Sequence, residues 1–314
     1  MFSVVIPAYN AEKFVSTAIE SVLRQSYTDF EIIVVDDGSR DNTAAVVAGM
    51  PDARIRYIYQ ENAGVSAARN TGIRQSSGEF ICFLDADDLW LENHLEVLDR
   101  LIRAYPESWT YITGHRICLT NGEILSRTEK LLKAVDQQDF SSDNAYGLIL
   151  RYGYFLHTNS MCCRRAAFDK VGWFEPGVRN GEDDDMWYRL FAYFPVAVSK
   201  EVTTQYNREN SGATAKFSVA VDWIFLNRVG EIMASPEVTP QRKESLHRIL
   251  ERKKLSRIRL EIVEGNKGTA LRKLLKLDAS LLPGKKYLTT WVSLLVPHKW
   301  IRKRLEARDR AFYR

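Results

Sequence analysis

The sequence predicts an α/β fold with a mostly parallel sheet flanked by helices, followed by a helical, basic C-terminal region. Three observations carry this. Short β-branched runs alternate with amphipathic stripes through the first hundred residues, polar clusters stand directly after those runs, and basic residues gather at the far end of the chain. In such a sheet ligands lie in the crevice beyond the carboxyl ends of the strands, so the clusters should converge on one site.

The elements follow in order. Residues 2–6 and 31–35 read as buried strands, and Val15, Ala18, Ile19, Val22 and Leu23 between them form the apolar stripe of a helix. Residues 54–59 and 79–84 read as two further strands separated by a helix over 65–75. Leu95, Leu98, Leu101 and Ile102 mark the next helix. From about 106 the pattern is mixed, with strands expected over 110–120, 159–164 and 196–202 and helices over 146–152, 165–171 and from 181 onward. After about 221 the chain reads as helical throughout. Two regions are therefore expected, a catalytic one over 1–220 and a helical, basic one over 221–314.

Composition narrows the function classes. The chain's 45% hydrophobic and 27% charged residues exclude a disordered or fibrous protein. Four scattered cysteines exclude a disulfide scaffold, and the adjacent Cys162 and Cys163 lack metal-ligand spacing. A reducing cytoplasm fits this usage, and the N-terminus lacks the pattern of a secretory signal. The longest apolar stretch, 287–297, is far short of the ~20 residues of a spanning helix. Residues 241–314 hold 21 Lys/Arg against 7 Asp/Glu, a net +14, which leaves −10 for the rest of a chain whose total is +4. That tail points to an anionic partner, membrane lipid or nucleic acid.

Three acidic clusters carry candidate chemistry. Asp85-Ala-Asp87 follows a hydrophobic strand and offers two hard oxygen ligands for Mg²⁺ or Mn²⁺, or else forms a turn in which Asp88 caps the next helix. Asp36-Asp37-Gly-Ser either accepts hydrogen bonds from a nucleobase or ribose or makes an Asp-Gly turn. Glu182-Asp-Asp-Asp185 opens a helix, where the helix dipole favours acids. Repulsion among them can also raise one pKa and make that carboxylate a base near neutral pH.

Taken together, Val4-Val-Ile-Pro-Ala-Tyr-Asn10, Val35-Asp-Asp-Gly-Ser-Arg-Asp-Asn-Thr43, Glu61-Asn-Ala-Gly-Val-Ser-Ala-Ala-Arg-Asn-Thr-Gly72, Leu84-Asp-Ala-Asp-Asp88 and Gly181-Glu-Asp-Asp-Asp-Met-Trp-Tyr-Arg189 resemble the ordered motifs of family 2 glycosyltransferases, inverting enzymes of the GT-A fold. The resemblance covers residues 1 to about 215. It implies that Pro7, Ala8 and Tyr9 line a nucleobase pocket and that Asp37, with Asp36 beside it, hydrogen-bonds the base. Arg69 and Asn70 would help hold the nucleotide sugar, Asp85 would face the ribose or donor sugar, and Asp87 would ligate the metal. Asp183 aligns with the general base, and Glu182 and Asp185 would support the site or orient the acceptor. One departure stands out: many members carry a histidine near Gln205-Tyr-Asn-Arg-Glu-Asn-Ser211, and this chain has none, leaving Arg208 or Glu209 as substitutes. His157 either faces the acceptor or is structural, and Trp173 either stacks on an acceptor sugar or packs in the core.

The expectation is a metal-dependent inverting glycosyltransferase, using Mn²⁺ or Mg²⁺ and a nucleotide-sugar donor, UDP-linked by default, that extends a lipid-linked glycan of the cell surface. An alternative acceptor is polyprenyl phosphate, which the acidic 182–185 cluster would repel. A nucleic-acid-binding protein is the alternative from another class. It leaves the acidic loops unexplained, and the tail lacks the interleaved aromatics of a single-strand platform, so no nucleic acid partner is expected. In the tail, Lys285-Lys286, the apolar 287–297 stretch and Lys299-Trp-Ile-Arg-Lys-Arg304 suit an anionic membrane surface, or else pack on the body. The expected location is cytoplasmic, peripheral on the inner face of the cell membrane.

Overall fold

The computed structural model describes residues 1–119, 121–126, 129–178, 180–207, 225–301 and 303. The chain forms two compact units, Met1–Val238 and Thr239–Arg314.

In the first unit the strands are β1 (Phe2–Ala8), β2 (Phe30–Asp37), β3 (Ile55–Gln60), β4 (Phe80–Phe83), β5 (Leu89–Trp90), β6 (Thr110–Cys118), β7 (Ile124–Ser126), β8 (Asp139–Ser142), β9 (Met161–Arg164) and β10 (Val196–Asn207). The described strands make one sheet in the order β3-β2-β1-β4-β9-β6-β10-β5, with β7 beside β6 and β8 beside β10. β3, β2, β1 and β4 are parallel, and their shared register sets Ala8 against Asp36 and Asp37 against Gln60. The alternation of buried runs with helices predicts this half correctly.

The other half is mixed. β9 runs antiparallel between β4 and β6, because it starts from the crevice edge: Asn159, just before it, accepts a hydrogen bond from the Asp85 N–H just past the end of β4. The short β5 follows Asp88 directly, and the next helix begins only at His94 with Asn93 as its N-cap. Asp88 is therefore not the helix cap that the sequence suggested.

Helices α1 (Val15–Leu23), α2 (Thr43–Ala48), α3 (Val65–Gln75), α4 (His94–Ala104), α5 (Glu129–Ala134), α6 (Ala145–Tyr152), α7 (Ala167–Val171), α8 (Glu182–Tyr193) and α9 (Phe225–Ala234) complete this unit. The stripe of α1 buries Val15, Ala18, Ile19 and Val22 against Val4, Ile6, Ile32 and Val34 of the sheet. α3 lies close on β1, since a Cβ at Gly72 would meet Val5 Cγ1 at 2.3 Å. That close approach requires glycine. α9 belongs with this unit, where buried Phe225 packs on Tyr188 of α8.

The second unit is helical, with α10 (Pro240–Glu264), α11 (Lys267–Leu274) and α12 (Gly284–Leu295). Thr239 caps α10 ahead of Pro240, and Gly265 ends it at φ +96°. Leu255, Ile258, Ile262, Ala270, Leu274 and Leu282 form its core. Among the described residues no helix is long and apolar enough to cross a membrane.

Candidate active site

The in-register ends of β1 and β2 leave a cleft of about 330 Å³ lined by Pro7, Ala8, Tyr9, Asp37, Asn62 and Gly64, with Val65 and Ala68 of α3 behind. Its walls are cross-tied: the Asn10 N–H donates to Ser39 Oγ at 2.9 Å, the Arg40 N–H to Asn10 Oδ1 at 2.8 Å, and the Ala11 N–H to Thr43 Oγ1 at 2.8 Å. The carboxylate of Asp37 accepts from Gln60 Nε2 at 2.7 Å and from the N–H groups of Ala63 at 2.9 Å and Gly64 at 2.8 Å. It thereby fastens the 61–64 loop to the end of β2. Asp36 is buried and accepts from the Ser39 N–H at 2.8 Å and the Tyr57 hydroxyl at 2.7 Å, so it braces the turn beneath the cleft. Tyr9 remains 52% exposed, an aromatic face open to a flat ring.

Asp85 follows Leu84, whose N–H extends the ladder to Val5 O at 3.1 Å, and so stands at the same end of β1 as Pro7. Arg69 reaches it from α3. One guanidinium nitrogen donates to Asp85 Oδ1 at 2.9 Å and the other to Glu182 Oε1 at 3.1 Å. Burial opposes the charge of Arg69, yet the carboxylates of Asp85, Glu182 and Asp183 offset this and hold its pKa above the ordinary value. Arg69 thus joins the strand end to the first turn of α8. Asn70, one residue on, is clamped to the Phe174 backbone by two hydrogen bonds of 2.8 and 2.9 Å.

Four acids occupy the first turn of α8, after Gly181 at φ +88°. They have different partners. Glu182 pairs with Arg69, and Asp184 accepts from the Tyr154 hydroxyl. Asp185 is fully buried against Arg189 at 2.7 Å. Arg189 donates in turn to the carbonyls of Val171 and Trp173. Asp183 accepts from the Asp184 N–H at 2.7 Å and has the Thr158 hydroxyl at 3.5 Å. Burial, followed by the charges of Asp184 and Glu182, pushes its pKa up to about 7, with Arg69 opposing. A half-buried carboxylate in that range can accept a proton from a hydroxyl near neutral pH.

Asp87 is the second carboxylate of the β4 loop, and burial together with the Asp85 charge raises its pKa to about 6. Asp85 is paired with Arg69, so Asp87 is the hard oxygen donor left at this loop for a divalent cation. Among the described residues no group of three His, Cys, Asp or Glu could hold an ion alone. An ion held at Asp87 would need its remaining ligands from a bound molecule, such as a diphosphate. Arg208 and Glu209, the substitutes for the missing histidine, lie outside the described residues. Just before them Asn207 ties the end of β10 to the loop, its N–H donating to Asp88 Oδ1 at 2.7 Å and its side chain to Asp87 O at 3.2 Å.

The two remaining candidates, Trp173 and His157, both have aromatic partners. The Trp173 ring stacks on Phe168 and under Arg74, five residues along α3 from Arg69. The His157 ring lies between His115 and Tyr206, with centroids at 5.3 and 4.9 Å, and caps the short turn that leads to β9.

Sequence reasoning misses Asn159. It is fully buried, accepts from the Asp85 N–H, donates to the Asp88 carboxylate, and takes the Trp90 indole N–H on its carbonyl. A lone asparagine at a strand start carries no periodic signal that would reveal such a brace. Asn62 and Gly64 stand within a quoted motif, but only the fold shows that they line the cleft.

Known proteins resemble this chain in sequence and fold. Over 128 residues the chain is 39% identical to the UDP-Glc:alpha-D-GlcNAc-diphosphoundecaprenol beta-1,3-glucosyltransferase WfgD of Escherichia coli, a match covering 40% of this chain and 50% of that protein. Over 149 residues it is 37% identical to glycosyltransferase GlyG of Streptococcus pneumoniae, again covering 40% of this chain and 50% of that protein. The chain thus spans half the length of each of these relatives. The crystal structure of S. aureus TarS 1–349 in complex with UDP-GlcNAc superposes with a TM-score of 0.62 at 20% identity, covering 77% of this chain and 69% of that one, which bears out the GT-A fold. Residues 3–170 match the family model of glycosyl transferase family 2, and the chain belongs to that family.

Proposed function

We propose that this protein is an inverting, metal-dependent glycosyltransferase that moves a sugar from a UDP-linked donor to a hydroxyl of a growing, lipid-linked glycan in cell-surface polysaccharide synthesis. One observation carries the reading: Arg69 pairs with Asp85, at the strand ends that bound the cleft of Tyr9 and Asp37, and with Glu182, the neighbour of Asp183, whose pKa is pushed up to about 7. The cleft, at about 330 Å³, is within the size range of small-ligand sites. The name of the E. coli relative, a UDP-glucose enzyme acting on a diphosphoundecaprenol-linked sugar, supports the donor and acceptor class. The UDP-GlcNAc complex of TarS supports the nucleotide.

In this reading the base lies against Tyr9 with Asp37 at its edge, and Asp85 turns its free oxygen toward the ribose or sugar. Asp183 takes the proton of the acceptor hydroxyl as that oxygen bonds to the anomeric carbon. The bond from that carbon to the diphosphate oxygen breaks on the opposite face, so a single displacement inverts the centre. Asp87 would hold Mn²⁺ or Mg²⁺ together with the diphosphate, and the ion, when bound, supplies Lewis-acid stabilisation of the leaving group. A lipid-linked acceptor would keep the enzyme working at the cytoplasmic membrane surface as a peripheral protein.

The test is a thermal-shift series with UDP, GDP, dTDP and CDP sugars, with and without Mn²⁺. A ligand of the native state raises stability as ln(1 + [L]/Kd), so a shift with a UDP sugar that grows with its concentration supports the reading. No shift with any nucleotide sugar overturns it.

A further inference from the structure

The second unit carries a surface that the catalytic reading does not use. α12 has two apolar faces. Tyr287, Trp291 and Leu294 pack onto the core of Leu255, Ile258 and Ile262. Leu288, Val292 and Leu295, spaced by four and three residues along another face, are 64%, 58% and 86% exposed. On α11 and just beyond it, Leu271 and Leu275 are also exposed. Leu271 shares an open cleft of about 510 Å³ with Trp291, Val292 and Leu295, so the two stripes adjoin. Trp300, past the end of α12, is 72% exposed. Single exposed leucines are ordinary, but adjoining stripes on two short helices mark an interaction surface.

Its surroundings identify the partner. Residues 265–303 hold nine Lys/Arg and a single acid, Asp278. Arg272, Lys276, Lys285, Lys286, Lys299 and Lys303 are exposed. Lys267 is committed inside the unit, donating to the carbonyls of Leu294 at 2.7 Å and Val296 at 2.6 Å, which fixes the end of α12 beside α11. Apolar stripes with a cationic rim match a surface that is apolar beneath an anionic layer.

We propose that this face seats the protein on an anionic bilayer. Leu271, Leu275, Leu288, Val292, Leu295 and Trp300 enter the boundary between headgroups and acyl chains, and the lysines and arginines around them meet lipid phosphates. Binding here needs neither donor nor acceptor, so it stands or falls apart from the catalytic reading.

The test is co-sedimentation of the full chain with vesicles of phosphatidylcholine alone or mixed with phosphatidylglycerol. Binding is expected to the anionic vesicles and to weaken steeply with salt. The exposed-face variant L288S/V292S/L295S should retain the wild-type melting temperature and bind at least about tenfold more weakly, since partition scales with buried apolar area. K285E/K286E should also lose about tenfold or more. Equal vesicle binding by the triple variant overturns the proposal, as does failure of the wild type to bind at low salt. A wild-type dimer that the triple variant converts to monomer without any lipid binding also overturns it, assigning the face to a second copy of the chain.

Discussion

Arg69 donates to Glu182 at 3.1 Å across 113 residues of sequence, while its other terminal nitrogen holds Asp85 at 2.9 Å. The single guanidinium therefore joins the end of β4 to the first turn of α8. Arg69→Met should destabilise the fold by about 3 kcal/mol, the low end for a broken buried pair, because Asp85 keeps part of its hydration. Arg69→Lys should recover only part of this, since an ammonium cannot reproduce the two-pronged geometry. Because Arg69 lowers the proton affinity of Asp183, the pH at which activity rises should be higher in Arg69→Met. Denaturant curves and a pH–rate profile of the folded variant check both. An unchanged profile would separate Arg69 from the base.

Asp183→Asn should leave nucleotide-sugar binding nearly intact and reduce turnover by about 10²- to 10⁴-fold, the usual range for a lost general base. Wild-type turnover should rise with pH through about 7, as Asp183 ionises, and level off above it. The same shift has a consequence for stability. With its pKa above that of the unfolded chain, Asp183 binds a proton more tightly when folded, so its stabilising contribution is complete below about pH 4 and disappears as pH rises through about 7. Asp183→Asn should accordingly melt higher than wild type at pH 8, with the gap narrowing toward pH 5. A variant that retains turnover and shows no such pH-dependent gap would remove Asp183 from the role.

How much of this was legible in sequence depends on periodicity. The parallel strands are read from continuous apolar runs and their helices from a 3.6-residue stripe, and the polar clusters follow those strands without interruption, so their convergence follows from topology. Asp37 is found this way, and so are Asp85 and Asp87. What escapes is the direction a side chain takes. Asn70 adjoins Arg69 in sequence but clamps Phe174, because a helix turns about 100° per residue. Trp173 is drawn to Phe168 and Arg74. The strand of β9 is legible over 159–164, but its antiparallel pairing, the short β5 and the Asn159 brace depend on long-range contacts that no local pattern records.

Asp185 shares the acidic run of Asp183 but has a different environment, and a variant should show it. It is fully buried and held by Arg189 through contacts of 2.7 and 2.9 Å, with Arg228 at 3.9 Å. Asp185→Ala strands the buried Arg189, so a loss of about 3–5 kcal/mol is expected in urea unfolding. Nucleotide affinity of the remaining folded fraction should stay close to wild type. A stable Asp185→Ala protein with a raised acceptor KM would instead assign Asp185 to the acceptor.

The metal can be tested without knowing the acceptor. Asp85 is already neutralised by Arg69, so the carboxylate left to attract a cation at the β4 loop is Asp87. Such an ion would need the donor's diphosphate for its other ligands, which makes metal and nucleotide bind as one unit. By linkage, Mn²⁺ should tighten UDP binding and UDP should tighten Mn²⁺ binding by the same factor. Asp87→Ala should abolish that mutual effect while leaving metal-free UDP binding little changed, because the cleft of Pro7, Tyr9 and Asp37 is untouched. Chelation by EDTA should stop donor turnover, and Mn²⁺ or Mg²⁺ should restore it. Calorimetry of UDP binding with and without Mn²⁺ reads the coupling directly. If UDP binds equally in both conditions and turnover persists in EDTA, the diphosphate charge is met by arginine or lysine and Asp87 is not a ligand.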